Sequence, residues 1–215
     1  RIAAECPPHL VCIAPWEATG DLFRESMREG GIKGEYAESV IGMVAGQGYI
    51  EDPLAMADVY PAWNAYWEDK VPKYRNIRIP TYYTSCWNHF HNVGSFEGFR
   101  KIRSRKKWMR AHREFEWPDT YNNKNLEDLR KFFDRYLRDI RNGWEFTPRV
   151  RIEVMDAYTY DYQTDRPENE FPLKRTQYAN LYLNSSNGTM STEPNVPEAK
   201  MSFDGATGEV CFDFK

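Results

Sequence analysis

Apolar and polar residues change their spacing three times along this chain. The first apolar run, HLVCIA from His9 to Ala14, lies between Pro7-Pro8 and Pro15 and predicts a short buried strand. A central strand this close to the first residue lacks neighbours on one side, so the N-terminus reads as cut. From Asp21 to Lys70 the pattern turns to short helical pieces separated at Gly30-Gly31, Gly34, Gly42, Gly46 and Gly48, with Tyr60, Trp63 and Trp67 at helical spacing. That segment, about residues 20–70, is expected to be a helical insertion covering something. Its glycines do not form the GxGxxG dinucleotide fingerprint.

Ile77 to Trp87 predicts a second strand, Ser95 to Ile102 a short helix, and KWMRAH a third strand ending at His112. Next, Leu126, Leu129, Phe133, Tyr136 or Leu137, and Ile140 fall on one helical face. Glu127 and Asp128 sit in the first turn of that helix, Arg138 and Arg141 near its last, and Gly143 just beyond. Strand, helix, strand, helix in this order implies a parallel sheet with crossover helices, an α/β fold. After Trp144 the spacing changes again: RVRIEVM (149–155) alternates at period two, NLYLN and the stretch from Thr189 add short strands, and SFDGATGEVCFDF reads as a hairpin. The expected division is an α/β domain over residues 1–145 and part of a β-sandwich over 146–215, with the boundary between Gly143 and Pro148. About 70 residues are available for that sandwich, where a whole one takes roughly 100.

Composition narrows the picture only a little. The chain has 215 residues, 41% of them hydrophobic, enough for a substantial core. A net charge of -3, from 29 basic and 32 acidic residues, gives no overall field for nucleic acid or an anionic membrane. The basic run from Arg100 to Arg113 is interrupted by apolar positions and reads as a solvated helix face leading into a strand. No apolar stretch approaches the roughly 20 residues of a membrane span, and the first residues do not form a signal peptide. Cys6, Cys12, Cys86 and Cys211 are scattered without a CxxC pair and are expected to be buried free thiols, which points to a reducing, cytoplasmic setting. Sequons at Asn184 and Asn187 point the other way.

The stretch richest in chemistry is SCWNHFHN, Ser85 to Asn92, with two histidines two residues apart beside a tryptophan. A catalytic zinc needs about three protein ligands, and neither HExxH nor a spaced carboxylate lies near His89 and His91 in the sequence, so no metal is expected. A turn lined with hydrogen-bonding side chains is expected instead.

HLVCIAPWEATGDLFRESMREGGI, YPAWNAYWEDK, IPTYYTSCWNH, FEGFRKIRSRKKWMRAH with EWPDTY, and RPENEFPLKRTQYANLYLN together resemble the CocE/NonD acyl hydrolases, relatives of cocaine esterase and of the Xaa-Pro dipeptidyl-peptidases. The resemblance runs nearly end to end in consistent order. It implies the C-terminal part of an α/β-hydrolase core with a helical cap inserted, followed by the start of a jelly-roll β-sandwich. It also implies a serine on a nucleophile elbow, a histidine base and an acid, acting on small acyl esters or amides through an acyl-enzyme, with no bound cofactor.

No GxSxG-like elbow is present here. Gly94-Ser95-Phe96-Glu97-Gly98 sets its serine one place early and reads as a helix start, and the family's elbow would precede Arg1. Where the family carries its acid, as Trp-x-Asp, this chain has Trp87, Asn88 and His89, so the acid is expected to be lost or moved, with Glu116 and Asp119 as displaced candidates. His112, at a strand end, is the candidate base, although a strand-end histidine that only packs fits the same residues. By the same resemblance Trp63, Tyr66 and Trp67 would wall an acyl pocket. Trp16 with Glu17, and Trp87, would lie at the carboxyl edge of the sheet, where α/β proteins hold ligands. Two functional readings follow: a portion of a serine acyl hydrolase that is inactive by itself, or a hydrolase-like chain that has lost catalysis and serves in binding or assembly.

Overall fold

A computed structural model describes residues 1–34, 39, 51–157 and 160–214. The expected helix breaks at Gly42, Gly46 and Gly48 lie outside these residues. The chain divides into two compact units, Arg1–Phe171 and Pro172–Lys215.

The first unit opens with a 3-10 turn (Ile2–Glu5) and an extended segment, then a π-helical turn (Phe23–Met27) and a two-residue hairpin of β1 (Arg28–Glu29) and β2 (Ile32–Lys33). Helices α1 (Pro53–Val59) and α2 (Ala65–Lys70) start at side-chain caps: Asp52 accepts from the Leu54 and Ala55 amides, and Asn64 from those of Tyr66 and Trp67. Then come β3 (Thr81–Cys86), α3 (Asn92–Lys101), β4 (Lys107–His112), α4 (Glu116–Thr120), α5 (Asn123–Leu137), β5 (Val150–Ala157) and β6 (Tyr160–Glu168). The central sheet runs β3-β4-β5-β6, parallel from β3 to β5 and antiparallel between β5 and β6. The expected first strand is present only as a ribbon beside β3, bridged at Ile13 and Trp16. Pro15 interrupts it by removing one amide donor.

Successive residues of a strand face opposite sides, and the sheet obeys this. Tyr82 and Trp108, paired across β3 and β4, join Cys12, Phe132 and Trp144 in an aromatic core under α5. Tyr83 points the other way, onto α3, where Gly98 admits its ring: a Cβ there would lie 2.7 Å from the Tyr83 hydroxyl oxygen. The buried stripe of α5 centres on fully buried Phe132, with Leu129, Phe133 and Tyr136 packed beside it. Leu126, Leu137 and Ile140, placed on the buried face by spacing alone, are at least 38% exposed. The helix stops at Leu137, and the left-handed residue after it is Asp139 rather than a glycine.

Strand β5 begins just after the expected domain boundary and pairs in register with β4, so the sheet of the first unit continues through β6. The second unit contains β7 (Tyr182–Asn184), β8 (Thr189–Ser191) and β9 (Asp213–Phe214), and none of its described residues is buried. The hairpin expected in SFDGATGEVCFDF is not formed: β9 runs parallel to β8, and a turn at Asp204 to Gly208 precedes it.

Candidate active site

The carboxyl ends of the ribbon, β3 and β4 deliver Glu17, Cys86 and His112 to one place. Glu17 leaves the ribbon in the left-handed region (φ 48), a conformation that disfavours side chains and is kept only where the surroundings enforce it. The enforcement is visible one and two residues on. The Ala18 amide donates to Ser95 Oγ at 2.9 Å, and the backbone of residues 18–20 presses against Gly94, where a Cβ would lie 2.1 Å from the Ala18 carbonyl oxygen. The Glu17 carboxylate is thereby aimed inward. Its Oε2 accepts from the Cys86 amide at 2.9 Å, and its Oε1 lies 2.8 Å from His112 Nε2. That second approach is close in distance but poorly aligned, and neither atom counts as satisfied by hydrogen-bond angles.

His112 shares the sheet face of Trp108 and Arg110 and is 2% exposed. Its Nδ1 faces the Glu114 carbonyl at 3.1 Å and Asp119 Oδ1 at 3.4 Å. Both ring nitrogens thus face acceptor oxygens, and the tautomer decides whether the ring proton serves Glu114 and Asp119 at Nδ1 or Glu17 at Nε2. Asp119 is fixed from two sides: Arg110 grips both its oxygens in a fork, and the Asn125 amide donates to its backbone carbonyl and to Oδ1. The only buried arginine of the basic run is thus the counter-charge of a buried aspartate, which its reading as a solvated face did not anticipate. A polar cleft of about 270 Å³ opens beside His112, Asp119 and Glu153.

Next to this lies the turn after β3. His89 has a fully buried side chain, its Nδ1 accepts from the His91 amide at 3.1 Å, and its Nε2 points toward Glu116 Oε2 at 3.8 Å. Burial, with His89 nearby, lowers the His91 pKa; burial raises that of Glu116, against the pull of His89. The reason for expecting no metal, the lack of a carboxylate near the histidine pair, does not hold in three dimensions, because α4 brings Glu116 to them.

The four candidate tryptophans fall into three packing groups, Trp63 and Trp67 meeting the same Phe23 ring. Trp67 is fully buried with Phe23, Met27 and Ala57, and its Nε1 donates to the Tyr60 carbonyl at 2.8 Å. It therefore has no surface to offer a substrate, and that expectation is corrected. Trp63 is partly exposed under the Arg24 guanidinium, 3.6 Å from its ring centre. Trp16 meets Tyr121 edge to face and lines a cavity of about 110 Å³ with Tyr82, Arg110 and Leu129. Trp87 stacks on Phe96 and donates from Nε1 to the Glu153 carbonyl at 2.9 Å.

The serine hydroxyls near this edge are committed elsewhere. Ser95 is buried inside α3 on the Ala18 amide, and Ser85 donates to the Asn92 carbonyl at 3.4 Å. Cysteine placement differs from expectation: all four are free, Cys12 and Cys86 buried but Cys6 and Cys211 exposed. Burial raises the Cys86 thiol pKa. Among the described residues no helix is long and apolar enough to cross a membrane.

Residues 142–208 match the family model of the X-Pro dipeptidyl-peptidase C-terminal non-catalytic domain. Two crystal structures of a CocE/NonD family hydrolase from Staphylococcus aureus share this fold with a TM-score of 0.80 each, at 34% and 32% identity, over 88% of this chain. No curated protein matches it. The chain spans 35% of the length of those solved relatives. In ordered motifs, fold and identity, it is similar to the CocE/NonD family hydrolases over the part of their length that it spans.

Proposed function

We propose that this chain supplies the base and the acid of a serine acyl hydrolase acting on small acyl esters or amides, with the nucleophilic serine on a segment outside these 215 residues. In this reading the central sheet is the later part of an α/β-hydrolase core, residues 20–70 include an inserted cap, and the C-terminal residues begin a β-sandwich. The observation that carries it is the seating of His112 at the carboxyl edge, with Asp119 against Nδ1 and Glu17 against Nε2. A triad needs an acid at one ring nitrogen, to hold tautomer and orientation and to stabilise the imidazolium, and a proton-accepting nitrogen at the other. Asp119 takes the place of the acid that His89 does not provide. Glu17 covers the working nitrogen and must yield Oε1 to an incoming serine, while Oε2 stays on the Cys86 amide.

A second reading, a hydrolase-like chain serving in binding or assembly, is favoured by the same Glu17, which occupies the nitrogen that a nucleophile would use. Fluorophosphonate labelling separates the two. Under the enzymatic reading a polypeptide extending this chain to the length of its relatives is labelled and hydrolyses p-nitrophenyl acetate, while the 215-residue chain does neither. No labelling of the longer form supports the binding reading. Turnover by the 215-residue chain above a boiled control, abolished in His112→Ala, would place the nucleophile inside it.

A further inference from the structure

We propose that His89, His91 and Glu116 form a binding site for a divalent transition-metal ion of the zinc type. One ligand atom from each of the three lies within 4.8 Å of the other two. The turn after β3 presents the two imidazoles with ring centres 4.9 Å apart, and Glu116 opens α4 opposite them. The second, independent observation is His89 itself: its side chain is fully buried, its Nε2 has no hydrogen-bond partner among the described residues, and that atom is aimed at the Glu116 carboxylate across 3.8 Å. A ring nitrogen buried without a partner is costly, and a cation in the gap would satisfy it together with the carboxylate.

The donor chemistry selects the ion. Two imidazoles and one carboxylate suit zinc and its first-row neighbours, whereas magnesium and calcium favour all-oxygen shells. Ligand atoms on one zinc sit roughly 3.3 Å apart at the usual bond lengths, so separations of up to 4.8 Å need to shrink by at most about 1.5 Å. A tetrahedral ion held by three protein ligands keeps a fourth position for water. His91 and Glu116 are half-buried, and Phe90 and Phe115, each 44% exposed, flank the turn, so an ion can enter from solvent.

Loading the site also moves a proton. While the His91 amide donates to His89 Nδ1, a neutral His89 ring carries its hydrogen on Nε2. An ion on Nε2 displaces that hydrogen to Nδ1, and the His91 amide must then turn away. Metal binding is thereby coupled to the shape of the turn from Asn88 to Asn92. The site does not depend on His112 acting as a base.

The test uses the 215-residue chain carrying Cys6→Ser and Cys211→Ser, so that exposed thiols do not compete, after treatment with a chelator. Zn²⁺ is titrated by calorimetry, Co²⁺ by visible absorption, and the His91 amide is followed by NMR. Expected are one equivalent bound, cobalt d–d bands of four-coordinate strength, and displacement of the His91 amide resonance. Affinity should fall at least about 10-fold in His89→Ala and in near-isosteric Glu116→Gln, with His9→Ala unchanged. Absence of binding, or binding that Glu116→Gln leaves unchanged while the far-ultraviolet circular dichroism is native, overturns the proposal.

Discussion

Two stretches along one face of β4 hold together by different physics. Under α5, Tyr82, Trp108, Phe132 and Trp144 form an aromatic cluster whose stability comes from apolar area removed from water. A few residues along the same strand, Arg110, His112, Asp119 and Glu17 are buried as charged or titratable groups that tolerate burial only because each faces another. The first region resists any loss of volume. The second resists loss of a partner, and can accept loss of both partners together.

Substitutions can break that comparison, beginning with the largest effect. Phe132→Ala removes a fully buried ring and should cost about 4 kcal/mol in denaturant unfolding. Asp119→Ala strands Arg110 as a buried unpaired cation and should cost about 3 kcal/mol. Arg110→Met added to Asp119→Ala should recover part of that loss, while no second change near Phe132 short of refilling the volume should do so. Tyr82 belongs to both regions, since its ring packs under α5 and its hydroxyl meets Asp128 at 2.5 Å and Arg151 at 2.8 Å. Tyr82→Phe should cost about 1.5 kcal/mol.

That tyrosine also sets an alkaline limit. Burial chiefly, opposed by Arg151 and Arg110, raises its pKa from 10.0 to about 12. Between those values the unfolded chain has lost the phenolic proton and the folded chain retains it, so stability present below pH 10 declines as the pH rises toward 12. The decline should be shallower in Tyr82→Phe when unfolding is followed across that range. Smallest of all, Glu127→Gln on the solvent side of α5 should leave the unfolding midpoint unchanged, because its pairing with Arg130 is fully hydrated.

The same contrast explains what the sequence made legible. Apolar periodicity located β3, β4, β5 and α5 to within a few residues, because period two and period 3.6 are local properties. The face of α5 was displaced by about one position, since Phe132, not the spacing, decides which side meets Trp108. Pro15 reduced the first strand to a ribbon, and β9 chose a parallel partner, both through pairings that a linear reading does not contain. Candidate chemistry fared differently. His89 and His112 stood out as residue types, and Glu17, Asp119 and Glu116 as candidate carboxylates, but which carboxylate meets which ring emerges only when three strand ends and α4 converge. One signal was available for Glu17: a carboxylate directly after an apolar strand, at the edge where parallel sheets place their ligands. For Trp67 the helical spacing that suggested an aromatic wall is the spacing of a core residue, which it is.

Ester hydrolysis by a polypeptide extending this chain to the length of its solved relatives, with His112→Ala compared with His89→Ala, tests the central claim most directly. A loss of about 10⁴-fold or more is expected for His112→Ala, the size associated with losing a triad member, and less than about 10-fold for His89→Ala. Undiminished turnover in His112→Ala, or a collapse confined to His89→Ala, would contradict the assignment of His112 as the working base.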